Sequence, residues 1–156
     1  MIIRKAQIQD IPQIENLLFQ VNKVHSDERP DIFKQGTKKY TKNQLIELLS
    51  NETKPIFVAE NNNIILGYVF LILQNNSSGQ FNNFKTLYID DLCVAENSRG
   101  QKIGKKLFNF AFDYAKQNNC YNLTLNVWAL NKSAIKFYEK CGMCVQKLGL
   151  EKIILN

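Results

Sequence analysis

Between Phe84 and Tyr114 the hydrophobic period changes once, across a glycine-containing turn, and this change constrains the fold more than any other feature. Phe84 to Val94 reads as a strand, unusual in carrying Asp90 and Asp91 in mid-run. Glu96 to Gly104 reads as a loop that opens into a helix. That helix sets Ile103, Leu107, Phe110, Ala111 and Tyr114 on one face. The first amides of a helix lack intrahelical partners and sit at the positive end of its dipole. A turn in which Gly100 and Gly104 let the backbone approach a ligand therefore makes a phosphate site without side-chain chemistry. The spacing is neither that of a Walker A loop nor that of a dinucleotide-binding fingerprint.

The remaining elements fall around this segment. Ile2 to Ala6 reads as a first strand. Asp10 is expected to cap a helix with Pro12 in its first turn, and Ile11, Ile14, Leu17, Leu18 and Val21 recur at helical spacing until the helix ends near His25. Ser26 to Asp31 reads as a loop. Thr41 and Gln44 form a capping box for a short helix over Leu45 to Leu49. Pro55 to Glu60 and Ile64 to Leu73 read as strands joined by a turn at Asn61, Asn62 and Asn63, and Asn75 to Asn83 reads as a polar hairpin loop. Beyond the central helix, a strand is expected over Tyr121 to Trp128, a helix from Asn131 to Cys141 capped by Gly142, and a last strand or hairpin over Met143 to Leu155. The order predicts one α/β domain over residues 1–156, built on a mixed sheet.

Composition narrows the function classes. The chain has 156 residues, which suits one core, and its longest apolar run, Ile64 to Leu73, is too short to span a bilayer. Met1 to Lys5 opens no signal-peptide pattern, so the expected location is the cytoplasm, with no membrane partner. A formal net charge of +6 suggests a polyanionic partner. The lysines are scattered and form no nucleic-acid-binding motif, which favours a phosphate-rich cofactor over nucleic acid. Cys141 and Cys144 form a CxxC, but no two further ligands stand at zinc-site spacing, so no metal is expected.

Three segments sharpen the reading: Tyr88-Ile-Asp-Asp-Leu-Cys-Val, then Arg99-Gly100-Gln101-Lys102-Ile103-Gly104, then Asn131 followed by Ser133-Ala-Ile-Lys-Phe-Tyr138-Glu-Lys-Cys-Gly-Met. Together, at these spacings, they resemble the GNAT superfamily of N-acetyltransferases. The clear resemblance covers Tyr88 to Met143, and the preceding elements fit the same order. It implies an α/β fold with a mixed, mostly antiparallel central sheet, about four helices, and a splay between the fourth and fifth strands. It implies acetyl-CoA as acetyl donor and a primary amine as acceptor, either a small, polyamine-like amine, since the Asp90-Asp91 placement resembles the acidic pair of polyamine acetyltransferases of this superfamily, or a protein amine. Lys102 departs from the family's pattern, standing where the first glycine would be.

The same resemblance implies roles. Arg99, Gly100, Gln101, Lys102, Ile103, Gly104 and Lys105 would hold the pyrophosphate. The main chain at Leu92, Cys93 and Val94 would pair with the pantetheine arm like an added strand. Asn131 would contact the cofactor while also capping its helix. Tyr138 would protonate the departing thiolate, a task within reach of a phenol. Asp90 and Asp91 are the candidates for handling the amine's proton. Adjacent strand residues point to opposite faces, so either one of them faces the acceptor or a bulge brings both in. The region holding His25, Phe33 and Tyr40 would line the acceptor pocket, where His25 is read either as a substrate contact or as a helix-terminal residue. Direct attack in a ternary complex is expected, because no nucleophile arrangement stands out near Cys93. A catalytically silent acyl-CoA sensor of the same fold is the competing reading, and a homodimer is left open.

Overall fold

A computed structural model of the chain describes residues 1–80 and 82–154. It divides into two compact units, Met1–Asn126 and Val127–Asn156.

The first unit is organised by a five-stranded sheet in the order β1-β2-β3-β4-β5. β1 (Ile2–Lys5), β2 (Ile56–Asn61), β3 (Ile64–Asn76) and β4 (Phe84–Val94) pair antiparallel, and β5 (Asn122–Thr124) runs parallel to β4. The β2–β3 turn is tight because Asn62 and Asn63 both take positive φ, the twist that suits a two-residue hairpin. α1 (Ile11–Glu28) and α2 (Lys42–Leu49) cover one face. There Ile14, Leu18 and Leu45 join Ile56, Val58, Tyr68, Phe70 and Cys93 in a single buried cluster. α3 (Ile103–Gln117) covers the other face, where Phe110 and Tyr114 pack around Phe57 and Leu107 reaches Gly67.

Several expectations change. Asp10 makes no side-chain cap on α1. It closes the 3-10 turn Ile8–Asp10 by accepting from the Gln7 amide, and it is buried against Arg4 at 2.7 and 2.9 Å. α1 continues through Ser26 to Glu28, since the Ser26 hydroxyl bonds the Lys23 carbonyl and the Arg29 amide closes the last turn on His25. β3 runs on to Asn76, because β4 supplies ladder partners as far as Phe84. The expected strand Tyr121 to Trp128 shrinks to β5, whose ladder with β4 stops at Tyr88 and Thr124. β4 bulges two residues later.

In the second unit, α4 (Lys132–Lys140) begins at Asn131, whose side chain accepts from the Ala134 amide. It ends as expected at Gly142, with φ of +88°. The Gly142 amide bonds Glu139 and the Met143 amide bonds Tyr138, the paired bonds of a left-handed helix stop. Met143 to Ile154 form no regular element, and Leu155 lies outside the described residues. Apolar alternation alone makes no strand without a hydrogen-bonded neighbour.

Candidate active site

The site is built on β4. Phe70 pairs with Asp91, but the next β3 residue, Leu71, pairs with Ile89, so Asp90 is an extra residue on β4. This bulge resolves the question of which aspartate faces the α1 side. The Tyr68 hydroxyl donates to Asp91 Oδ2 at 3.0 Å, and the Tyr40 hydroxyl donates to Asp90 Oδ2 at 2.5 Å. Tyr68 and Phe70 belong to the α1-side core, and Tyr40 stacks on Phe70 with ring centroids 5.5 Å apart. Both carboxylates therefore lie on the α1 side.

Their surroundings separate them. Asp90 is neutralised by Lys39, whose Nζ lies 2.7 Å from Oδ1 and donates to the Asp90 backbone carbonyl at 2.9 Å. Among the described residues, no cation pairs with the Asp91 carboxylate in this way. Burial pushes its carboxyl from the ordinary 3.8 up to about 6, against the opposing pull of Lys39 and of the Tyr68 hydrogen bond. Burial and the two aspartates also raise the phenols of Tyr40 and Tyr68, which stay protonated as donors.

β4 also offers an edge that β5 does not cover. The Ala95 amide donates to Leu66, so Cys93 and Ala95 turn their backbones toward β3. Leu92 and Val94 then turn theirs outward, past the point where β5 has stopped. Of the three residues expected to pair with a cofactor arm, Leu92 and Val94 face outward, whereas Cys93 faces β3 and buries its thiol against α1. Burial pushes that thiol up to about 12, which favours its protonated form.

The outward edge leads into the glycine turn. Ser98 closes a 3-10 turn onto Ala95 and is buried, which fixes the exit of β4. Arg99 is extended, Gly100 takes a φ of +80°, and Lys102 takes φ +61°, ψ +16° as the residue before α3. Lys102 thus adopts the left-handed conformation that a glycine would take more cheaply. The Lys102 side chain does not cap the first α3 amides. Nothing lies within 4 Å of the position a Gly100 Cβ would take, so the turn faces open space. Arg99, Gln101 and Lys105 are exposed around it, while Ile103 is buried as the anchor of the helix. Uncapped amides, an open turn and nearby cations fit the phosphates of acetyl-CoA.

A family model described as acetyltransferase (GNAT) family matches residues 18–143. The chain belongs to the GNAT family. It is similar to the glucosamine 6-phosphate N-acetyltransferase of Arabidopsis thaliana, at 37% identity over 68 residues, 44% of each chain. The chain thus matches less than half the length of this curated relative. Among solved structures it is similar to a mutant of the BH1408 protein from Bacillus halodurans, at 31% identity and TM-score 0.95, with 99% of this chain and 100% of that one covered. The crystal structure of the Arabidopsis thaliana glucosamine-6-phosphate N-acetyltransferase superposes with TM-score 0.71 at 25% identity, covering 98% of this chain and 97% of that one.

In this GNAT chain the other expected residues lie as follows. His25 and Phe33 stack at 5.0 Å near the end of α1. Burial lowers the His25 pKa and keeps the ring neutral, and its Nδ1 is buried with no hydrogen-bond partner among the described residues. Asn131 and Tyr138 lie in the second unit, at the start and in the body of α4. Three residues of the β4 site were not legible beforehand. Lys39 and Tyr68 hold the aspartates. Gln20 braces β4 from α1, donating to the Val94 carbonyl at 3.0 Å and accepting from the Glu96 amide at 3.0 Å. No local motif marks any of the three, since each acts on a partner far along the chain.

No helix among the described residues is long and apolar enough to cross a membrane.

Proposed function

We propose that this GNAT chain is an acetyl-CoA-dependent N-acetyltransferase, a single cytoplasmic domain spanning both compact units, that acetylates a primary amine by direct attack in a ternary complex. The observation that carries the reading is the continuity of β4: an acid pair at its bulge, then an outward backbone edge, then an open turn with uncapped helix amides. The relatives named glucosamine 6-phosphate N-acetyltransferase support an amine acceptor.

Acetyl-CoA supplies an activated acetyl group when bound. Gly100 to Lys105, with Arg99, would receive its phosphates, and the outward main chain of Leu92 and Val94 would align its arm; Asn131 would add a contact from α4. A primary amine arrives largely protonated at neutral pH. Asp91, titrating at about 6, is the group to take that proton, while Asp90, bound by Lys39 and Tyr40, serves as a fixed anchor. Tyr138 Oη would give a proton to the leaving group. Cys93, held as a thiol, favours direct attack over a covalent relay.

The test is CoA release, followed with a thiol reagent, across amino sugars, amino acids, polyamines, aminoglycosides and peptides. Release with one class is expected. Tyr138→Phe should lower kcat by about 10- to 100-fold while leaving acetyl-CoA affinity nearly unchanged. Bound acetyl-CoA with no release for any acceptor would sink the enzymatic reading, and undiminished turnover in the variant would remove Tyr138 from the mechanism.

A further inference from the structure

Resting on that reading, we infer that Lys39 determines acceptor specificity: it occupies the place of a second ammonium group beside Asp90, so the acceptor carries one ammonium and is otherwise neutral or anionic. The Lys39 amine bonds the Asp90 carboxylate at 2.7 Å and the Asp90 backbone carbonyl at 2.9 Å, and it lies 5.6 Å from the centre of the Tyr40 ring. A carboxylate, a carbonyl and an aromatic face are the partners an incoming ammonium would seek.

The titratable groups around this point come from β4, β3, the end of α1, the loop before α2, and α2 itself, whose Glu47 lines a hollow with Tyr40 and Lys54. β4 supplies Asp90 and Asp91, and the Asp90 oxygens are occupied by Lys39 and by the Tyr40 hydroxyl. β3 supplies only the Tyr68 phenol, already turned to Asp91. The end of α1 supplies Glu28 and a neutral His25, and the loop before α2 supplies Lys39 itself. Lys39 cancels the charge of Asp90, which leaves Asp91 as the carboxylate for one ammonium at the bulge, while Glu28 faces His25 at the end of α1. A second acceptor cation near the bulge would have to displace Lys39 or stand beside it, and like charges at such range repel strongly. Because the Lys39 side chain is 44% exposed, it can be replaced without opening a core cavity.

The experiment compares binding of 1,4-diaminobutane with that of 4-amino-1-butanol, which differ by one charge at similar size, by calorimetry on the full chain without acetyl-CoA. The proteins are wild type, Lys39→Met and Lys39→Arg. The wild type should prefer the amino alcohol or bind both alike. Lys39→Met should shift the ratio of affinities toward the diamine by about tenfold or more. Lys39→Arg should keep the wild-type ratio. An unchanged ratio in Lys39→Met, or a wild-type preference for the diamine, overturns the inference. So does failure of both amines to bind any of the three proteins, and in that case CoA release with another acceptor class would leave the acetyltransferase reading standing.

Discussion

Asp91 is the residue where burial and chemistry meet. Its carboxyl lies on the α1 side in step with Cys93, the bulge brings Asp90 in beside it, and burial raises the Asp91 pKa from 3.8 to about 6. A raised carboxyl binds a proton in the folded state that the unfolded chain has released. Stability from this group therefore falls as pH rises from about 4 through about 6. Two outcomes follow from one substitution. Asp91→Asn should stabilise the fold at neutral pH by about 1–2 kcal/mol, read by urea denaturation. It should also lower kcat/KM by about 100-fold or more. In the unaltered protein kcat/KM should fall as pH drops through about 6, since the base works deprotonated. A profile flat across that window would exclude Asp91 as the base. Asp91 was legible as a candidate because acidic residues in mid-strand stand out. Its separation from Asp90 was not, because Lys39 lies 51 residues away and the phenols that bind each carboxylate come from different elements.

Among the elements, β4 carries the argument, and β3 shapes it from behind. Gly67 pairs with Val94, and a Cβ there would meet the Cys93 carbonyl at 2.5 Å and Leu107 at 3.2 Å. The carbonyl is backbone and cannot swing aside. Gly67→Ala should therefore destabilise the protein by about 1–3 kcal/mol and, by shifting the β4 edge, weaken acetyl-CoA binding. Denaturation and equilibrium binding would check the two effects, and retained stability would show that the strands can part at no cost. The element ends were read well where they depend on neighbours in sequence. The Thr41–Gln44 capping box forms with both of its bonds, and Gly142 stops α4. The reading failed at β5 and after Met143, where a strand needs a distant partner that composition does not announce.

At the scale of the whole molecule, a chain of net charge +6 presents an open turn at the start of α3. Binding a polyanion there should stabilise the fold by mass action, about 2.7 kcal/mol at a ligand concentration 100-fold above Kd. Acetyl-CoA should therefore raise the melting temperature, less so at high salt, and Lys102→Glu should reduce the shift. An unmoved melting temperature at saturating acetyl-CoA would remove the turn as its site. The sequence by itself determined the order of the elements as far as α4, the caps at Thr41 and Asn131 and the glycine turn before α3, because these rest on residues within a few positions of one another. Only the tertiary structure decided that Asp90 bulges, that Lys39 neutralises it and that Asp91 is left to titrate. Those outcomes depend on strand register and on charges brought together across the chain, and neither has a local signature.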